Sequence, residues 1–459
     1  MMNGKTIPTG RGARLVTRRV LAGRLGAGAA LLGGGALEAA CGPAGGGAGA
    51  GQPGQAAQGK VVFMSQNASP GDEERYKPLV EQFNNRKSAV TIDFIQNAEG
   101  SGAAEAQAKV IALAAAGTPP DLFWTHAYVA PNLAKLGLTA DVNPYIRRDR
   151  DFKLSSLYEA PVKDYEIDGK QTGLPREATT MIVIVNKELF QKSGVALPKG
   201  EWTWDDFLKA AQQMSKGSGT QQTWGAGGAA GGQGFSLYNI YPKVWQEGGD
   251  IVDKTRSKFT LHQSPAVEQV QWLADLVHRH RVHPAPSEFP GGAIQESWNS
   301  GRIGMFVQIS VYSNFNKAQF DWDIVPLPKG KTKATRTASA GHSMTAGSKN
   351  KDAAWEVLKM LASKPAYEHW ATTGLTIPTH KEVAEALVGK TTQPPLSAKI
   401  SLDAFAYARS EPIAGDWGNF GAEVGRALAP VWAGQIDAKG ALTPIVQTVE
   451  GLLTNIPGR

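Results

Sequence analysis

The chain has 459 residues, with 48 Lys and Arg against 41 Asp and Glu, a formal charge of +7 and one cysteine. Six of the cations (Lys5, Arg11, Arg14, Arg18, Arg19, Arg24) precede residue 41 with only Glu38 opposing them, which leaves about +2 on the rest. That balance, without a basic stripe, excludes a nucleic-acid footprint, and a lone cysteine excludes an internal disulfide.

Arg18-Arg19 followed by the mildly apolar stretch Val20–Ala40 has the pattern of a twin-arginine export signal over residues 1–40. Its six glycines and Arg24 make poor material for a membrane-spanning helix. Cys41 follows where a bacterial lipobox places its acylated cysteine, although Glu38 stands where lipoboxes carry Leu, and Leu37 is the nearest one. Residues 42–59 are almost wholly Gly, Ala, Pro and Gln, which cannot bury enough apolar surface to fold. Residues 41–59 therefore read as a lipid-anchored flexible tether with a reach of roughly 23 Å.

The 400 residues from Lys60 onward suffice for two lobes. Lys60–Ser65 reads as a strand. A helix follows with Tyr76, Leu79, Val80 and Phe83 on one face, then a strand at Val90–Ile95, an Ala-rich helix at 103–116 and a strand at Leu122–Trp124. This alternation predicts a parallel α/β sheet, whose ligands bind beyond the carboxyl ends of its strands. Those ends are Ser65-Gln66-Asn67, Gln96-Asn97-Ala98 and Trp124-Thr125-His126.

A second α/β block opens with the buried-strand pattern Met181–Val185. A helix starts near Thr203, where Thr203 and Asp206 suggest a capping box and Trp204, Phe207, Leu208 and Ala211 form the apolar stripe. Residues 217–234 read as a Gly/Ser/Thr/Gln-rich loop. A long helix has Ser264 as N-cap and Pro265 as its first residue, with Val267, Val270, Leu273, Ala274 and Val277 facing inward. A strand is predicted at Ile303–Val307, and helices at Lys351–Ala362 and Phe420–Ala433.

Five blocks in order resemble the extracellular family 1 substrate-binding proteins of ABC importers, the group of maltose and glycerol-phosphate binders. They are Pro120-Asp-Leu-Phe-Trp-Thr-His126 with Leu133–Gly137; Gly173-Leu-Pro175 with Val185–Phe190; Trp202-Thr-Trp-Asp-Asp-Phe207; Asn299–Phe306; and Gly347–Trp355. The resemblance spans about 60–455. It implies a type II, two-lobed periplasmic-binding-protein-like α/β fold with the ligand cleft between lobes. Crossings would lie near Arg176–Met181, Val325–Pro328 and Thr373–Pro378. Lobe one would be 60–176 and 328–375, and lobe two 177–327 and 376–459. It also implies a monomeric receptor, without cofactor or metal, that is no enzyme. The receptor would be anchored through Cys41 on the outer face of the cytoplasmic membrane and hand a sugar or oligosaccharide to ABC permease subunits.

Carried onto this chain, Trp124 and His126 match the family's Phe-Trp-x-His run, with Ala127 where an acidic residue can follow. An indole can stack on a pyranose face and an imidazole can bond a hydroxyl. The bland alternative is a packed core tryptophan at a strand end. Ser65, Gln66 and Asn97 place short polar groups at strand ends, where ordinary turn chemistry would also put them. Glu177 lies in the polar stretch before the second block, and a hinge role suits it equally. Thr179, not Glu177, falls in register with the acidic residue of the maltose binder. Trp245 resembles a cleft-facing helix end, or equally a lobe-two core residue. Gln308, Ser310 and Tyr312 follow the strand through Met305, with Tyr312 as the local aromatic. Gly341 and His342 would sit on a lobe-one loop at the cleft, Gly341 allowing close backbone approach. Trp417 reads as an aromatic in a flexible loop. His278, His280 and His283 tempt as metal ligands, but Arg279 and Arg281 between them repel a cation, and positive charge at a helix end suits its dipole.

Two other readings stay open. A secreted carbohydrate hydrolase needs two carboxylates across a cleft; Glu177, Glu247 and Glu296 exist, yet nothing pairs them, and no Gly-x-Ser-x-Gly, His-Glu-x-x-His or phosphate-cradling motif occurs. A receptor of the same fold could instead take a non-sugar solute such as glycerol-phosphate or a polyamine.

Overall fold

The computed structural model describes residues 57–66, 72–86, 88–97, 103–230, 237–288, 294–373 and 376–455. The expected export signal, Cys41 and most of the expected tether lie outside them.

Strands β1 (Gly59–Gln66), β2 (Val90–Asn97) and β3 (Leu122–His126) alternate with the helices Asp72–Asn84 and Ala103–Ala115. β1 pairs in parallel with β2 and β3, as the spacing predicted. The parallel pattern stops there. A hairpin of β4 (Glu166–Ile167) and β5 (Lys170–Gln171) precedes β6 (Leu174–Asn186). After β7 (Trp224–Gly227), β8 (Ile303–Ile309) and β9 (Trp322–Val325), β10 (Thr335–Met344) returns antiparallel to both β3 and β6. With β11 (Ile377–Pro378) and β12 (Ala408–Ser410), ten strands among the described residues make one mixed sheet, its main path β2-β1-β3-β10-β6-β8-β7. The separate second block that the sequence suggested is thus joined to the first through the backbone ladder. Met181–Val185 is not a strand start but the far half of β6, whose near half pairs β10 while its far half pairs β8.

That far half is apolar throughout because both faces are covered. Met181, Val183 and Val185 face a large core with Phe207, Tyr241, Leu273 and Leu428. Ile182 and Ile184 face a smaller one with Trp298, Phe306 and Trp322. The first lobe has its own pair: Phe63, Tyr76, Leu122, Trp355 and Trp370 on one side, and Met64, Phe123, Trp124 and Leu133 on the other. A small cluster of Ala160, Ala178, Ile377, Ala384, Leu402 and Phe405 fills the sheet face at the crossing.

Three local expectations change. Residues 217–234 contain β7, where Gly225 runs close under a helix: a Cβ there would lie 2.0 Å from the Ala211 carbonyl oxygen. The helix expected from Pro265 spans Ala266–His278, and the Ser264 hydroxyl donates to Glu268 rather than capping a backbone N–H. The last predicted helix begins three residues early, at Trp417, because the Asp416 side chain accepts from the Asn419 N–H at 3.2 Å. The Thr203–Asp206 capping box is present. The histidines of the 278–283 run part company: His278 bonds the Trp432 carbonyl, His283 is buried against Ala230 and Pro284, and His280 stays at the partly exposed helix end.

Candidate functional site

β3 ends where the two lobes meet. Trp124 points into the first lobe's second core and is 6% exposed. Its neighbour His126 pairs with Ala340 of β10. The His126 ring packs 4.2 Å from that of Tyr128, and its Nδ1 accepts from the Tyr128 N–H at 3.3 Å. Burial, with Arg336 close by, pushes the imidazole down to about 3, so it is neutral at physiological pH. Tyr128 is half-buried and touches the cores of both lobes. Burial, then Tyr238 and Glu411, push its phenol up to about 12.

Arg336 on β10 and Glu411, just past β12, form a buried ion pair, with Nε donating to Oε1 at 2.5 Å. The Tyr238 ring, in the first turn of the helix Leu237–Gln246, covers the guanidinium at 3.8 Å. Beside this group Asp164 accepts from the Ser339 hydroxyl at 2.5 Å; burial lifts its carboxyl to about 7 against that bond and one from Ser410. A void of about 40 Å³ bounded by Ala127, Tyr128, Thr337, Glu411 and Ile413 lies between. The seam is therefore aromatic on two sides, with the Arg336–Glu411 ion pair between them and Lys163, Glu166 and Arg256 also lining the void.

Of the residues singled out from sequence, His126 alone belongs to this group. Tyr128 was within reach, two residues past His126 in the same block. Arg336 and Glu411 are 75 residues apart, and no local pattern links them.

The others are distributed elsewhere. Glu177 pairs with Arg176 at 2.5 Å and accepts from the Thr376 hydroxyl at 3.2 Å. Ser310 and Tyr312 line a second, mostly apolar cavity of about 400 Å³ with Thr376, Pro378 and the helix Lys381–Gly389. Within it the Tyr312 hydroxyl meets Ser401 Oγ at 2.6 Å, while Ser310 Oγ accepts from the Thr180 N–H at 3.1 Å. Gln308 turns back on its own strand, accepting from the Ile309 N–H at 2.9 Å. Ser65 is buried at the end of β1. Gln66 and Asn97 pair in the β1–β2 register, and their side chains lie outside the described residues.

Two expectations are corrected outright. Gly341 and His342 are not on a loop but inside β10. The glycine serves strand packing at a register shift: a Cβ there would lie 2.1 Å from the Leu174 carbonyl oxygen. The His342 ring is buried in the first core, with Nε2 2.9 Å from the Tyr76 hydroxyl. Trp417 is not in a loop either; it opens a helix and stacks on Phe420 at 4.5 Å inside the second core. Trp245 is likewise buried in that core, its Nε1 donating to Asp250 at 2.8 Å and its face under Arg409 at 4.5 Å.

A family profile described as bacterial extracellular solute-binding protein matches residues 67–368. The chain belongs to that family. This solute-binding protein is 27% identical over 224 residues (48% of this chain, 53% of the relative) to a binding protein of Brucella abortus (strain 2308). It is 27% identical over 215 residues (45% and 46%) to the arabinooligosaccharide-binding protein of Bacillus subtilis (strain 168). The chain spans about half the length of the curated relatives it matches. Its fold is that of the cyclic alpha-maltosyl-1,6-maltose binding protein from Arthrobacter globiformis, with a TM-score of 0.73 at 21% identity over 86% of this chain and 99% of that one. The two-lobed architecture expected from the sequence blocks is thereby shown. Among the described residues of the solute-binding protein, no helix is long and apolar enough to cross a membrane.

Proposed function

We propose that this protein is the extracytoplasmic receptor of an ABC importer, taking a sugar or oligosaccharide between its lobes and releasing it unaltered to the permease. The observation that carries this reading is Tyr128: one aromatic ring at the end of β3 in contact with the cores of both lobes. A solute at that ring touches both halves, and only such differential contact can favour a closed form. The rings of His126, Tyr128 and Tyr238 offer apolar area of the kind a pyranose face covers. Buried hydroxyls of Thr125 and Thr337 in the adjoining strands have no partner among the described residues, and each can both donate and accept. The relatives that bind arabinooligosaccharide and cyclic maltosyl-maltose support the same solute class.

Lobe one comprises 60–176 and 328–375, lobe two 177–327 and 376–459, with two adjustments drawn from packing. Ala334 goes with the second lobe's core, and the helix Lys381–Gly389, whose Val383 packs beside Tyr367, goes with the first. Trp124, Glu177, Ser310 and Tyr312 are contacts of the second rank, reached as the lobes adjust. The mature chain is monomeric and held at the membrane by a lipid on Cys41.

Isothermal titration of the mature protein with linear and cyclic malto-oligosaccharides and arabinooligosaccharides, followed by chromatography of the recovered sugar, tests this. Saturable binding with intact sugar is expected. A cleaved product, or no binding across the panel, overturns it.

A further inference from the structure

β2 is an edge of the large sheet: among the described residues it pairs with β1 and with no other strand. Its sequence, Val90-Thr-Ile-Asp-Phe-Ile-Gln-Asn97, is rich in β-branched and aromatic residues and holds neither proline nor glycine. Its single charge, Asp93, is already engaged by Lys60 at 2.9 Å, and Ile95 is 46% exposed. A strand of that composition at a sheet edge is a template for another chain.

The hydrogen bonds show which residues face outward. The Gly59 N–H of β1 donates to the Ala89 carbonyl at 2.8 Å, so Thr91, Asp93 and Ile95 turn toward β1 as well, while Val90, Ile92, Phe94 and Gln96 turn away from it. Two of those four already have partners. Asn84, the last residue of the helix Asp72–Asn84, donates from Nδ2 to the Ile92 carbonyl at 3.0 Å and accepts the Ile92 N–H on Oδ1 at 2.7 Å. One donor and one acceptor aimed at one residue is what a neighbouring strand would supply. Ser88 does the same for Val90: its hydroxyl donates to the carbonyl at 2.8 Å and accepts from the N–H at 3.2 Å. Asn84 is held in position because Phe83, the residue before it, is buried in the first lobe's core.

We infer that Asn84 and Ser88 guard the outer edge of β2 by standing in for a strand, and that the partner they exclude is β2 of a second copy of this chain. An identical strand brings a matching row of apolar residues and is present wherever this protein is. Pairing two copies over Val90–Asn97 needs the outward groups of all four residues. With Val90 and Ile92 occupied, only Phe94 and Gln96 remain, and two residues are fewer than the roughly three that the shortest ordinary strands use. An incoming strand must therefore first break the bonds to Asn84 and Ser88. The inference goes beyond the receptor reading and holds whichever solute is bound.

Sedimentation velocity of the mature protein over a range of concentrations tests this, in reducing buffer so that Cys41 cannot link two copies. Wild type should stay monomeric. The folded double variant Asn84→Ala with Ser88→Ala should form a concentration-dependent dimer, with an apparent affinity about tenfold or more above that of wild type. Adding Gln96→Pro, which removes an outward N–H and leaves the bonds to β1 intact, should return it to monomer. A folded double variant as monomeric as wild type overturns the inference, and so does association that persists with Gln96→Pro. If circular dichroism shows the double variant unfolded, amide exchange of wild type decides. The Val90 and Ile92 amides should exchange about tenfold or more slowly than those of Phe94 and Gln96, and equal rates overturn the guard.

Discussion

The end of β3 and the tryptophans of the second lobe carry the same kind of sequence signal, an aromatic beside small polar residues at an element boundary, yet they end in opposite places. Tyr128 stands between two cores, with the His126 ring packed beside it. Trp245 and Trp417 are sealed in one core, the first held by Asp250 and Arg409, the second stacked on Phe420. The difference lies in what surrounds the element end. β3 stops where the sheet passes from one lobe to the other, so residues just beyond it have no single core to enter. The helix bearing Trp245 packs against β10 and the helix Ala266–His278, and the helix bearing Trp417 packs among other helices of the same core, so their inward faces have only one core available. An aromatic at an element end is a ligand candidate only where the chain around it changes lobes.

This contrast can be broken experimentally. The largest effect should come from Trp245→Ala, which leaves a cavity in the second core and removes one of the donors to Asp250. Urea denaturation should show a loss of about 3–5 kcal/mol, with solute affinity per folded molecule unchanged. A stable variant with lost affinity would move Trp245 to the seam. Gly341→Ala should lose about 1–3 kcal/mol, since the new methyl meets the Leu174 backbone and β10 must shift against β6. If it is as stable as wild type, the close approach of the two strands is not real.

Tyr128→Ala should invert the pattern. It should lose only about 1 kcal/mol of stability but weaken binding by about tenfold or more in the same titration, and Tyr128→Phe should restore most of it if the ring face is what matters. Equal loss of stability and affinity would make Tyr128 a core residue like Trp245.

The pH dependence of stability gives a smaller, opposed signal. Burial holds His126 at about 3 and His283 at about 4, below their unfolded value, so the unfolded chain takes up protons first as pH falls. Stability from these groups is present above about pH 6.5 and lost on acidification. Asp164 is raised to about 7, so its contribution has the other sign: present below the unfolded carboxylate range and lost as pH climbs through 7. His342 and His380 are held below their ordinary value by burial as well, so wild type should gain stability as pH rises from 4 to 6.5, with Asp164 offsetting only part of the rise. Asp164→Asn should steepen the rise with pH, and His126→Asn should flatten it; denaturation midpoints at four pH values measure both. An unchanged profile in Asp164→Asn would mean that its carboxyl is not held protonated by burial.

Much of the architecture was legible in the chain. The helix carrying Tyr76, Leu79, Val80 and Phe83, the first three strands and the Thr203 capping box follow from periodicity and local hydrogen bonding, which act over a few residues. β7 was hidden because Gly225 serves a close approach to Ala211 rather than a turn, and glycine reads the same in both roles. The helix start at Trp417 was missed because Asp416 as N-cap sits beside two glycines that suggest a loop. In the site, His126 was legible from its motif block, whereas Arg336, Tyr238 and Glu411 were not.

The amino-acid order by itself determined the first three strands and several helices, the succession of blocks that marks a bacterial extracellular solute-binding protein, and the near-neutral charge beyond the basic first 40 residues. Those properties depend on contacts a few residues apart or on composition. Only the tertiary structure decided that one sheet runs through both lobes, that Gly341, His342, Trp245 and Trp417 lie within strand or core, and that Arg336 meets Glu411 beside Tyr128. Each of these is a pairing across tens to hundreds of residues. Its partners are chosen by which faces must be covered when β6 and β10 cross, and no local pattern encodes that choice.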